Sequence, residues 1–224
     1  MISITKHILL SSLLVLSSAI FLAAQQPGKP ESTTDPAKKA NARPVEAVVN
    51  KPEPFDGASV EKMAIQCVTL ETEAGAIEIE MLPDAAPENA RGFLNLAATG
   101  ALDTTTFSRV VKDFVIQGGN LSTSEKWGLE LLKRMGRKLP DEPGLIKHER
   151  GIVSMARPDE ANSATTSFFI LVGDGHHLDG KFSAFGRVIK GIEVADTINH
   201  ADVDGEKPNK PVRITRAVVS ACKR

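Results

Sequence analysis

The sequence predicts a mainly β fold, a closed eight-stranded antiparallel barrel capped by two helices. Three observations carry that expectation. The first strands alternate apolar and polar residues, eight strand-like runs follow one another between residues 67 and 219, and two amphipathic stretches carry helix punctuation. Closing so many strands into a barrel removes the exposed edges that an open sheet must otherwise protect.

In chain order, Val68 and Leu70 alternate with Thr69 and Glu71, then Ile77, Ile79 and Met81 alternate with Glu78 and Glu80, giving each strand one buried and one wet face. Glu73-Ala-Gly75 between them makes a hairpin turn. A helix is predicted over residues 87–99, with Pro87 in its first turn, Gly100 as its stop, and Ala90, Phe93, Leu94 and Ala97 on one face. Further strands are predicted at 106–111, 114–117, 152–156, 168–172, 184–189 and 212–219, with a second short helix at 192–199. Residues 126–135, which hold the only tryptophan, Trp127, have the pattern of a short amphipathic helix. Two roles are open for it: an apolar stripe docked on the barrel, or the rim of a binding groove.

A chain of 224 residues with 42% apolar content holds one domain with a real core plus extra sequence at one end. Lys and Arg total 27 against 28 acidic residues, so no broad field draws the chain to nucleic acid or to an anionic membrane. The extra sequence is N-terminal. Lys6 and His7 precede an apolar run over residues 8–24 that reads as a secretory signal ending at Ala23 and Ala24. Leu22 stands where a small residue is usual, so an uncleaved membrane anchor facing the extracytoplasmic side is the alternative. Residues 25–63 are rich in Pro, Lys, Glu, Ala and Thr without apolar periodicity and read as a disordered linker, leaving 64–224 as the folded domain. No apolar stripe is left over for an interface, so a monomer is expected.

The chemistry is carried by two ordered blocks. The first is Phe107-Ser-Arg-Val-Val-Lys-Asp-Phe-Val-Ile-Gln-Gly-Gly-Asn120, which sets one arginine, one glutamine and two phenylalanines on neighbouring strands. The second is Gly151-Ile-Val-Ser-Met-Ala156, followed by Ser167-Phe-Phe-Ile170 and Leu178-Asp-Gly-Lys181. Together they resemble the cyclophilins, the prolyl cis/trans isomerases, over about residues 66–220. That resemblance implies the barrel architecture and an isomerase that needs no cofactor and acts on proline-containing polypeptides. It assigns Arg109 and Gln117 to catalysis. It assigns the walls of a proline socket to Phe114, Val115, Phe169 and Leu178, with Met155 close by. The main chain at Ala156 and Arg157 would pair with the residue before proline as an added strand. Phe168 goes to the core, since adjacent strand residues point to opposite faces. The resemblance also brings the first and last strands side by side, and with them Cys67 and Cys222. Two states are open for these: a disulfide, which in an exported protein would stabilise by about 3–5 kcal/mol, or two buried free thiols.

Rotation about an Xaa-Pro bond needs no nucleophile. Its barrier of about 18–20 kcal/mol comes from lost amide resonance, and tens of turnovers per second require removing roughly 4 kcal/mol of it. In the twisted state the proline nitrogen becomes pyramidal and exposes a lone pair. A guanidinium beside it donates a hydrogen bond that the planar amide cannot accept, worth about 1.5–3 kcal/mol. Arginine keeps its charge at every working pH.

Four positions depart from the best-known cyclophilins: Ser108 and Phe182 each replace a histidine, Ser167 a glutamine, and His177 an aromatic residue of the groove that contributes to cyclosporin binding. The arginine and the socket survive. The reading is an exported isomerase, periplasmic or secreted, that assists protein folding, with a proline-peptide binding module or holdase of little turnover as the alternative. No metal is expected: His176 and His177 lack partners at ligand spacing, and Asp202 and Asp204 before Gly205 lack the closing glutamate of a calcium loop and read as a solvated turn.

Overall fold

The computed structural model describes residues 52–223. Ten strands are present among them: β1 Gln66–Thr72, β2 Gly75–Met81, β3 Arg109–Val111, β4 Val115–Gly118, β5 Ile152–Met155, β6 Phe168–Leu171, β7 Ala184–Lys190, β8 Val203–Asp204, β9 Lys207–Pro208 and β10 Ile214–Ala221. The helices are α1 Val60–Ala64, α2 Pro87–Ala98, α3 Leu129–Met135 and α4 Ile192–Asn199. Eight strands form one antiparallel sheet in the order β10-β1-β2-β7-β5-β6-β4-β3, and β8 pairs with β9 apart from it.

The expected closed barrel is corrected here: the sheet curls but ends at β3 and β10. Between those ends only the isolated pair Thr106 and Arg213 bridges, flanked by Phe107 N–H to Val212 O at 2.9 Å and Thr104 N–H to Ile214 O at 2.8 Å. The reason lies at the outer edge of β3, which the β8–β9 hairpin already occupies through Val110 N–H to Glu206 O at 2.8 Å. With that edge taken, β10 cannot run alongside β3, and the edge is covered rather than closed.

The curl makes two apolar regions. Inside, Phe93 of α2 meets Phe168 edge-on at 5.1 Å and Phe185 at 4.8 Å, within a core that also holds Leu70, Ile77, Ile79 and Ile116. A smaller cluster of Val115, Ile152, Phe169, Leu171 and Ala184 lies apart from it. β5 and β6 are buried at every position because both of their faces are covered. Phe168 therefore belongs to the core and Phe169 to the second cluster, as alternation requires.

α2 starts at Pro87 without a side-chain cap from its own neighbour Ala86. Glu142 supplies the cap from a distance, accepting from the backbone N–H of Glu88 at 3.0 Å and of Asn89 at 2.9 Å. α3 confirms the short amphipathic pattern: Leu131 and Met135 pack on the core while Leu129 and Leu132 face solvent. No residue of 121–148 lines the two pockets that include Arg109, whereas Arg134, Arg137, Lys138 and Leu139 line a separate one that shares Thr165 with the polar groove.

The predicted linker boundary also moves. Residues 52–63 are folded onto the domain: Phe55, Ala58 and Met63 are buried, and Ser59 caps α1 by accepting from Lys62 N–H. Arg91 of α2 donates to Phe55 O at 2.8 Å and Ala58 O at 2.7 Å, and Arg134 and Arg137 clasp Glu53. Three apolar residues this sparsely spaced show no period, and what holds them is a set of side chains more than thirty positions away. The expected signal segment, 1–24, and the linker up to residue 51 lie outside the described residues. No helix among the described residues is long and apolar enough to cross a membrane. Cys67 and Cys222 are joined by a disulfide, with Cα atoms 4.9 Å apart, at one end of the β1–β10 ladder.

Candidate active site

The β3–β4 hairpin sets Arg109 directly opposite Gln117. Its turn passes through Asp113 at φ +56, a conformation unusual for any residue but glycine. Asn199 at the end of α4 secures it, accepting from Asp113 N–H at 2.9 Å and donating to Val111 O at 2.8 Å and Val115 O at 3.1 Å. Across the hairpin Arg109 Nη1 donates to Gln117 Oε1 at 3.2 Å.

Next to this pair lies a pocket of about 200 Å³ lined by Arg109, Phe114, Val115, Gln117, Ala156, Arg157, Phe169, Leu178 and Phe182. Its apolar walls come from the second cluster: Gln117 pairs with Phe169 across β4 and β6, Phe169 meets Phe182 edge-on at 5.9 Å, and Leu178 enters from the short 3-10 turn His176–Leu178. A second, more polar groove of about 430 Å³ continues past Arg109 and Gln117 along Arg157, Pro158, Ser163, Thr165 and Ser167. Such a socket beside an open groove fits one small ring with an extended chain running from it.

Arg157 does not offer its guanidinium to the groove. The group lies 5.1 Å over the Phe182 ring and donates to Pro158 O at 2.9 Å and Lys181 O at 3.2 Å. Phe182 is thus a wedge between Phe169 and Arg157. Ala156 N–H already donates to Ser167 O at 2.8 Å, whereas the backbone N–H of Arg157 has no partner among the described residues.

Most of the residues expected at the site meet there, and two are corrected. Met155 is 1% exposed and belongs to the inner core, paired with Phe168 across β5 and β6 on the face away from the pocket. His177 is exposed, its ring tilted against that of Phe114 with ring centres 5.2 Å apart, and it lies outside the pocket lining. Two groups of residues at the site had no local signal. Glu206 forks the Arg109 guanidinium from 97 positions away. The other is a buried chain beneath the pocket floor: Ser154 Oγ lies 3.0 Å from His148 Nε2, and His148 Nδ1 lies 3.2 Å from Asp179 Oδ1. Those are the atoms of a hydrolytic triad, but Ser154 is fully buried and no acyl group reaches it. The His148 ring instead stacks under Phe169 at 6.4 Å and supports the socket. No group of three or more His, Cys, Asp or Glu among the described residues is arranged to hold a metal.

Burial pushes the His148 imidazole below its ordinary pKa, against the pull of Asp179. Asp179 is held down to about 2, first by the backbone N–H of His148. Both native values lie below the unfolded ones, so the unfolded chain binds more protons as the medium acidifies. Stability is complete above the imidazole's ordinary 6.5 and declines as pH falls toward the lowered native value. A second loss follows from 3.8 down to about 2 as Asp179 is titrated. Thermal midpoints measured from pH 8 to pH 5 should fall in the wild type and stay flatter in His148→Gln; parallel curves would reject the assignment.

Over residues 67–219 the sequence matches the family described as cyclophilin type peptidyl-prolyl cis-trans isomerase. It is similar to the peptidyl-prolyl cis-trans isomerase cypE of Dictyostelium discoideum, 37% identical over 160 residues that cover 70% of this chain and 100% of that protein. It is 35% identical to peptidyl-prolyl cis-trans isomerase A of Dickeya dadantii over 162 residues, 68% of this chain and 83% of that one. The structure is similar to a crystal structure of a cyclophilin type isomerase of Cryptosporidium parvum, with a TM-score of 0.62 at 30% identity, covering 70% of this chain and 99% of that one. A crystal structure of that protein in the presence of the dipeptide Ala-Pro gives a TM-score of 0.61 at 29% identity and the same coverage.

Proposed function

This chain belongs to the cyclophilin-type peptidyl-prolyl cis-trans isomerases, and from that premise we propose that Arg109 stabilises the twisted Xaa-Pro amide of extended polypeptide segments folding after export. The observation that carries the reading is the guanidinium held at the rim of an apolar pocket, against Gln117. The proline ring occupies the pocket among Phe114, Phe169 and Leu178; that the related isomerase was crystallised in the presence of the dipeptide Ala-Pro supports a proline-containing substrate. Anchoring the ring fixes one side of the bond. The chain before proline runs along the polar groove and pairs with the backbone of Arg157, so the other side turns against a held partner. An N–H donor aimed at the pyramidal nitrogen binds the twisted state better than either planar isomer, which accelerates both directions equally.

Exchange spectroscopy on an Ala-Pro-containing tetrapeptide tests this directly. The expected result is cis/trans interconversion faster than in buffer at catalytic enzyme, with equal acceleration forward and back. Binding of the peptide with interconversion at the buffer rate would leave only the holdase reading.

Export is supported by Lys6 and the apolar run over 8–24 and by the Cys67–Cys222 disulfide, a bond that persists in oxidising compartments. The intact mass of the protein recovered outside the cytoplasm should correspond to a chain starting at Gln25. Recovery of a reduced chain starting at Met1 from the cytoplasm would sink this part.

A further inference from the structure

Arg109 is engaged on two sides. Its Nε donates to Glu206 Oε2 at 2.6 Å and its Nη2 to Glu206 Oε1 at 3.1 Å, a two-point fork, while Nη1 reaches Gln117. Glu206 follows Gly205 in the turn of the β8–β9 hairpin, where Gly205 takes φ +59. The hairpin is itself fastened along β3. Val110 N–H donates to the carbonyl of Glu206 at 2.8 Å, Lys112 Nζ donates to Ala201 O at 2.7 Å, and Asn209 N–H closes the hairpin base on Asp202 O at 2.9 Å. The carboxylate thus approaches the guanidinium from a backbone pinned to the residue next to Arg109.

We propose that Glu206 is a positioning residue of the isomerase site, which by forking Arg109 fixes the plane of its guanidinium and leaves one N–H on each terminal nitrogen for the twisting amide. The inference rests on the reading of Arg109 as the donor. A guanidinium carries five N–H groups in a rigid plane; three are committed here and two remain. An arginine tied only to Gln117 samples several rotamers, and the transition state must then capture the productive one. Preorganised donors avoid that loss, which is why they accelerate reactions more than mobile ones of equal charge. The two side chains are 41% and 55% exposed, so the pair adds little to the stability of the fold; its contribution is orientation. The carboxylate is charged throughout the working range, since the Arg109 hydrogen bonds hold its pKa below the ordinary carboxylate value.

The test compares Glu206→Ala, Glu206→Gln and Glu206→Asp with the wild type in peptide exchange, alongside Arg109→Ala as the reference for the donor. Loss of preorganisation should lower kcat about tenfold in Glu206→Ala while KM moves less than about twofold. Glu206→Gln should fall between, because it keeps one acceptor and no charge, and Glu206→Asp should recover part of the rate. Nitrogen-15 NMR of the arginine side chain reports the cause. Arg109 Nε–H should exchange slowly with solvent and rotate slowly about Nε–Cζ in the wild type, and average in Glu206→Ala. An unchanged or raised kcat in a folded Glu206→Ala overturns the proposal, the raised rate marking the carboxylate as a competitor for the guanidinium. If Arg109→Ala itself keeps the wild-type rate, the donor reading falls first, and the two failures are told apart.

Discussion

Replacing Arg109 by alanine should lower kcat/KM for Xaa-Pro isomerisation by roughly 10–150-fold, the equivalent of one charge-assisted hydrogen bond of about 1.5–3 kcal/mol made only in the twisted state. Affinity for proline peptides should change little. The apolar pocket walls of Phe114, Val115, Phe169 and Leu178 are untouched by the substitution, and an interaction absent from the ground state leaves ground-state binding alone. Arg109→Lys keeps the charge but not the planar fork that Glu206 and Gln117 grip together, so it should recover only part of the loss. The checks are peptide exchange rates at saturating enzyme and calorimetric affinity on the same samples. A wild-type rate in a folded Arg109→Ala, or a rate lost in proportion to affinity, would remove the arginine from the chemistry.

Reducing the Cys67–Cys222 disulfide should lower the stability of the domain by about 3–5 kcal/mol, because the bond closes a loop of 155 residues in the unfolded chain. The site should keep working at low temperature. The bond staples the two strands that open and close the domain, at the Gln66 and Ala221 end of their ladder, and neither strand contributes to the pocket lining. With a urea dependence of about 2 kcal/mol per molar, the unfolding midpoint should drop by about 2 M on adding reductant. The double substitution Cys67→Ala with Cys222→Ala should behave like the reduced wild type and be insensitive to reductant. Superimposable urea curves with and without reductant would show that the β1–β10 ladder alone sets the stability.

Local pattern encodes a defined part of this protein. Alternation at Ile77, Ile79 and Met81 placed β2 with its buried face inward, and Pro87 and Gly100 bounded α2. The contiguous block from Phe107 to Asn120 put Arg109 opposite Gln117, because a hairpin pairs residues that are close in sequence. Phe168 and Phe169 separated into core and pocket for the same reason, a period of two. The remaining features follow from contacts between distant parts of the chain. Met155 belongs to the core because the face it occupies depends on which strand pairs with β5, and no run of residues states that. The Glu142 cap on α2 and the clasp on Phe55 and Glu53 join partners far apart in the chain. So does the fork of Glu206 on Arg109. The open sheet has the same origin: a two-strand hairpin after α4 covers the edge that a barrel would have used. Periodicity fixes which side of an element is apolar, whereas the identity of the neighbour on that side follows from the path of the whole chain, and it is that path which brings the Glu206 carboxylate to Arg109.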